Sequence, residues 1–296
     1  MCSCVPYPLP MKRWACLILL FFCASCRAPT REAGASEVLT TDAVSITEVC
    51  FPSPSIGGLL RYRAIVPKVR PGEPLPVLYL LHGSGGGPAE TQQRSEVIQL
   101  ATTARIIVVM PDAGRSYYTN AKHLRHARWE DAIIFDLPRD VESRFPVLLG
   151  REHRGIAGIS MGGYGAVKLA LKHPELYGFA GTMSGALDIT RRPASLRRLG
   201  KTLHTWAIFG VRPGTRQSED VFTLLDRASM GEIQSVKWFL SCGKSDPLYA
   251  VNARFVREVS QRGIKLDWIT TPGFHDWQSW NAAMPLLFKA AGAALR

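Results

Sequence analysis

The chain has 296 residues, 46% of them hydrophobic and 20% charged, which is enough apolar material for a full core and excludes a small scaffold held by disulfides. Lys and Arg outnumber Asp and Glu by 36 to 24, a formal charge of +12. Such a surface attracts nucleic acid, anionic membrane or acidic polymers, but no recognised nucleic-acid-binding pattern accompanies it.

At the N-terminus, Lys12 and Arg13 precede an apolar run over 14–22, and the small residues Ala24 and Ser25 follow. This is the order of a secretory signal, and its run is well short of the roughly 20 residues that span a bilayer. Residues 1–26 are therefore expected to be a signal peptide whose start is placed at Met11, with export to the periplasm or the exterior. The block Cys23-Ala24-Ser25-Cys26 resembles a bacterial lipoprotein cleavage site, with Cys23 where a leucine is usual, so Cys26 is a candidate for lipidation. Five cysteines, Cys2, Cys4, Cys16, Cys23 and Cys26, lie in this segment, and only Cys50 and Cys242 lie beyond it. Neither their number nor their spacing suits a disulfide framework or a metal site. Cys242 ends an apolar run and reads as a buried thiol, a pair with Cys50 being the alternative.

Residues 27–43 are largely small and polar and are expected to be a linker. Residues 44–49 and 59–66 then read as strands separated by a turn-rich PSPSIGG, an antiparallel edge pair. The runs at 76–81 and 106–110 are continuously apolar, as in strands buried on both faces of a parallel sheet. Shorter candidates follow at 154–159, 179–183, 236–240 and 266–270. Helical patterns lie between them, at 129–144, at 161–172, and where Val251, Phe255 and Val259 repeat every four residues before Gly263. Alternating strands and helices predict an α/β fold with a doubly wound, mostly parallel sheet and helices on both faces. Functional loops should gather at the carboxyl ends of its strands.

The sequence GISMGGYGA at 158–166 sits between a predicted strand and a predicted helix. This is the setting of a nucleophile elbow, G-x-S-x-G, in which a tight turn exposes a serine. A serine hydroxyl is a weak nucleophile and needs a base that is itself oriented by a carboxylate. The base is placed at His275, in a Gly-containing loop after the last predicted strand, whereas His204 lies in a basic segment and reads as a surface residue. The acid is placed at Asp246, on the loop that follows the strand ending near Leu240. Asp188 and Asp276 compete for the role, but Asp188 follows the elbow too soon and Asp276 adjoins the histidine. Two backbone N–H groups should receive the oxyanion: that of Met161, beside the nucleophile, and that of Ser84 in the glycine-rich HGSGGG loop.

These residues resemble the esterase D-like α/β-hydrolases, which include S-formylglutathione hydrolases, tributyrin and feruloyl esterases, enterochelin esterases and mycolyltransferases. The resemblance runs from about residue 44 to the C-terminus. It is carried by YLLHGSGGG, VVMPDAGRSYYTN, REHRGIAGISMGGYGA, MSGALD, CGKSD and GFHDWQSW, and the SYYTN and GFHDWQSW blocks look most like the tributyrin and acetyl esterase branch. It implies a single α/β-hydrolase domain over 44–296, a triad of Ser160, Asp246 and His275, and neither metal nor organic cofactor. Tyr117, Tyr118, Trp277 and Trp280 are candidates for the substrate pocket, with 188–214 as a partial cover, while His82 and Asp112 are expected to shape loops. The expectation is an exported serine carboxylic-ester hydrolase acting through an acyl-enzyme on short-chain acyl or carbohydrate-linked esters. It has no nucleic-acid partner, and lipid on Cys26 would be its attachment to a membrane. Two rival readings remain: an acyltransferase of the mycolyltransferase type, and a non-catalytic surface-binding descendant of the fold.

Overall fold

The apolar runs become strands of one sheet. In the computed structural model, which describes residues 33–70 and 72–295, nine strands run in the order β1-β2-β3-β5-β4-β6-β7-β8-β9. They are β1 (Gly34–Thr40), β2 (Val44–Ser53), β3 (Gly58–Pro67), β4 (Val77–Leu81), β5 (Ile107–Pro111), β6 (Arg154–Ile159), β7 (Phe179–Met183), β8 (Lys237–Gly243) and β9 (Leu266–Thr271). β1, β2 and β3 pair antiparallel, and β3 joins β5 antiparallel. From β5 to β9 every neighbour is parallel.

The central strands are apolar throughout because both of their faces are covered. Tyr79, Leu81, Ile107 and Val109 enter one core, beneath the helices Met161–Lys172 and Tyr249–Gln261. Their neighbours Leu78, Leu80, Val108 and Met110 enter the other, against Val97–Ala104 and Trp277–Ala294. A strand placed between two cores cannot alternate polar with apolar residues.

Two elements depart from expectation. The stretch read as a linker contains β1, whose seven residues are all exposed and whose hold on the sheet is its backbone pairing with β2. With no buried face, such a strand leaves no hydrophobic pattern to read. The helix expected over 129–144 is interrupted by a π turn at Ala132–Asp136, before Leu137–Arg144. Pro138 lies just beyond that turn; it has no N–H for the α-helical ladder, and its ring crowds the carbonyl four residues back. Cys50 and Cys242 are both free thiols, and burial pushes that of Cys242 up to about 12. The proposed signal segment, Cys26 and residues 27–32 lie outside the described residues.

Candidate active site

Ser160 occupies the single-residue turn between β6 and the helix Met161–Lys172. Its backbone is at φ 55°, ψ −109°, a region that side chains rarely adopt. The turn is clamped: Ser160 N–H donates to Met183 O at 2.9 Å, and Ala186 N–H donates to Ser160 O at 3.0 Å. The flanking glycines are needed for close approach rather than flexibility. A Cβ on Gly158 would fall 2.3 Å from the backbone of Gly162, and one on Gly162 would fall 2.1 Å from Leu81 O. Bulk on Gly162 would push the elbow off β4, and bulk on Gly158 would push the start of the helix off β6.

The three residues expected to cooperate come from the carboxyl ends of β6, β8 and β9 and meet there. His275 Nε2 lies 2.8 Å from Ser160 Oγ, and His275 Nδ1 lies 2.8 Å from Asp246 Oδ2. With Nδ1 protonated, the ring donates to Asp246 and leaves Nε2 to accept the serine proton. The acid and histidine loops are tied by their backbones, Lys244 N–H to Thr271 O at 2.9 Å and Ser245 N–H to Gly273 O at 3.1 Å. Burial alone would push the Asp246 carboxyl up. Hydrogen bonds from His275, Leu248 N–H and Ser184 outweigh it and hold the group below the usual carboxylate range. The competing acids are engaged elsewhere: Asp188 pairs with Arg192, and Asp276 caps the last helix through Ser279 N–H.

Met161 N–H opens the helix beside the serine, and Ser84 N–H lies on the loop after β4. Neither amide donates to another protein atom among the described residues. A Cβ on Gly83 would be 3.6 Å from Ser160 Cβ, so this loop passes close to the elbow serine. His82 fixes the loop. Its Nδ1–H donates to Gly83 O at 2.7 Å, its Nε2 accepts from Ala113 N–H at 3.1 Å, and burial lowers its pKa, which keeps the imidazole neutral. A cavity of about 380 Å³ opens against the same loop, lined by Arg61, Arg63, Gly85, Glu90 and Asp112 among others, but none of Ser160, Asp246 and His275 borders it.

The four aromatic candidates separate. Trp280 stands edge-on to the His275 ring at 5.2 Å and donates through Nε1 to Ser184 Oγ. Trp277 packs on Trp280 and donates to Glu90. Tyr117 is half-buried under the cover, against Tyr164, Phe209 and His204. Tyr118 is not a pocket residue: it has no exposed surface, its hydroxyl donates to His82 O, and its ring fills the space left by Gly165. Sequence reasoning gave no role to Ser184, which links Trp280 to Asp246 from a left-handed turn after β7. Its one signal was its place in the MSGALD block.

A serine on a strand-to-helix elbow, with histidine and carboxylate at neighbouring strand ends of a mostly parallel sheet, is the arrangement of the α/β-hydrolase serine hydrolases. The chain belongs to the Esterase family, whose model matches residues 53–289, and is a carboxylic ester hydrolase. It is 25% identical over 214 residues to the acetyl esterase of Caldicellulosiruptor saccharolyticus, covering 71% of this chain and 80% of that protein. Among solved structures it is similar to the substrate-bound fluorophosphonate-binding serine hydrolase F of Staphylococcus aureus, with a TM-score of 0.74 and 26% identity over 84% of this chain and 99% of that one. An S-formylglutathione hydrolase from Agrobacterium tumefaciens shares the fold at a TM-score of 0.75 and 18% identity, over 88% and 99% of the two chains.

Proposed function

We propose that the protein hydrolyses short-chain acyl or carbohydrate-linked esters through an acyl-enzyme on Ser160, and that it does so after export. The observation that carries this reading is the unbroken relay Ser160–His275–Asp246, with both links at 2.8 Å. Ser160 Oγ attacks the ester carbonyl as its proton passes to His275 Nε2. The carbonyl oxygen, now negative, accepts from Met161 N–H and Ser84 N–H. The intermediate collapses, and His275 gives the proton to the departing alcohol. Water, deprotonated by the same imidazole, then releases the acid and restores Ser160. Asp246 stays ionised and keeps the ring in the useful tautomer. The acetyl esterase relative supports a short acyl group.

The test is hydrolysis of acetyl, butyryl, octanoyl and feruloyl esters by the chain and by Ser160→Ala. The expected result is cleavage favouring short acyl groups and a loss in turnover of about 10⁴- to 10⁶-fold in the variant, without loss of fold. Near-normal turnover by the variant would remove Ser160 from the mechanism. Transfer of the acyl group to an added alcohol in preference to water would make the enzyme an acyltransferase.

A further inference from the structure

Residues 189–218 contain seven Lys and Arg and no Asp or Glu, and residues 113–129 contain four and again none. The fold lays these two acid-free segments side by side. Lys122 N–H and His123 N–H donate to Ile208 O and Ala207 O at 2.9 and 3.0 Å, and His204 Nε2 bonds Arg115 O at 2.9 Å. Arg115, Lys122, Arg125, Arg197, Arg198, Lys201 and Arg212 are all exposed, and among the described residues none has a carboxylate within ion-pair distance.

Large apolar side chains are set among these charges. Leu196 is 90% exposed, Leu199 50%, Leu203 51%, Val211 54% and Leu124 46%. Leu199 and Leu203 stand four apart on the helix Leu199–Phe209, whose other flank buries Ile208 and Phe209. The helix therefore presents apolar residues on both sides, and only one side is covered by the protein. Scattered exposed leucines are ordinary, but a group of them within a field of unpaired cations marks a contact surface.

We propose that this face docks on an anionic lipid surface, with Arg197, Arg198 and Lys201 against the headgroups and Leu196, Leu199 and Leu203 at the acyl boundary. The mixture of charges chooses the partner. Lys and Arg beside exposed Leu is the composition of a segment lying in a membrane interface. A nucleic-acid surface would use the cations and leave the leucines in water, since such interfaces are polar. No helix among the described residues is long and apolar enough to cross a bilayer, so contact through this face is peripheral. The guanidinium of Arg115 lies 3.7 Å from where a Cβ on Gly85 would sit, so the face adjoins the loop that carries Ser84. A docked protein would present its active-site entrance near the lipid.

The experiment is co-sedimentation of the full chain with vesicles of phosphatidylcholine alone and with phosphatidylglycerol added. The comparison proteins are Arg197→Gln/Arg198→Gln/Lys201→Gln and Leu196→Ser/Leu199→Ser/Leu203→Ser. All carry the same N-terminal segment, so its own lipid affinity is constant, and unchanged unfolding temperatures check their fold. The expected result is binding that needs phosphatidylglycerol, weakened roughly 100-fold by removing the three charges and at least about tenfold by the three serines. Equal binding to both vesicles, binding unaltered in either variant, or no binding would overturn the proposal. So would binding to heparin or single-stranded DNA, in place of vesicles, that survives the leucine changes.

Discussion

Gly162→Ala tests the elbow most directly. The added methyl carbon would meet Leu81 O at 2.1 Å, Leu81 C at 2.5 Å and His82 O at 2.8 Å, all of them backbone atoms, so no side-chain rotamer can relieve the clash. Restoring van der Waals separation requires the start of the helix and the end of β4 to part by about 1 Å or more. That movement separates Ser160 and Met161 N–H, on one side, from Ser84 N–H on the other. Overpacking of this kind costs about 1–3 kcal/mol, offset by up to about 1 kcal/mol from replacing a helical glycine. Misplacement of reacting groups by about 1 Å costs on the order of 10²-fold in turnover. The expected outcome is a kcat on an acetyl ester reduced about 100-fold, with a net loss of up to about 3 kcal/mol in urea unfolding. Gly231→Ala is the control, because nothing lies within 4 Å of its would-be Cβ in the helix Met230–Ser235. It should gain about 0.5–1 kcal/mol and keep full turnover. If Gly162→Ala also keeps full turnover, the close approach is not what positions the nucleophile.

Asp246→Asn should lower kcat by about 10⁴-fold with little change in KM, because the amide favours the wrong imidazole tautomer; a loss below tenfold would deny Asp246 the orienting role. The Asp246 carboxyl is held below its ordinary range, so it remains ionised into acid and its contribution to stability fades only as pH falls through that lowered value. Asp220 is held at about 2: burial pushes it up, but hydrogen bonds from Arg191, Thr190 and Thr223 outweigh this. Its folded pKa lies below the unfolded value near 4, so it contributes about 2 kcal/mol that is fully present above pH ~4 and lost as pH falls toward ~2. Acid unfolding of Asp220→Asn should lack that component. Lys168 is fully buried and donates to Glu130 at 2.8 Å and Glu219 at 3.1 Å. Lys172 also meets both carboxylates, and His173 meets Glu130, but among the described residues Lys168 is their one fully buried cation, so Lys168→Met should destabilise by about 3–5 kcal/mol in urea; a loss below about 1 kcal/mol would show that Lys172 and His173 suffice to compensate the two carboxylates.

The centre of this molecule was legible because its constraints are local. β4 to β7 are apolar runs since both faces are covered, and Ser160 follows one of them directly, while Asp246 follows the buried β8 and His275 the half-exposed edge strand β9, each within a short glycine-bearing block. β1 was not legible, because an edge strand held by backbone bonds imposes nothing on its side chains. Nor was Tyr118. Tyr117 and Tyr118 are adjacent and alike, and only two successive left-handed residues, φ 52° and 53°, send one ring beneath the cover and the other into the core.

The cover is the part farthest from local reading. Its anchors join residues distant in sequence: Tyr164 to Glu219 O, Lys168 to Glu219, and Arg191 to Asp220. Nothing beside these residues in the sequence marks their partners, and only the fold supplies them. The same distinction separates two kinds of arginine in the basic stretch. Arg191 and Arg216 are absorbed by Asp220 and by the carbonyls of Gly210 and Thr190, and so hold the cover to the body. Among the described residues, the side chains of Arg197, Arg198 and Lys201 have no hydrogen-bond or ion-pair partner. A run that looks uniform in sequence is thus divided by the structure into cations that fasten the cover and cations left facing outward among exposed leucines, and the second group is the one free to meet a surface.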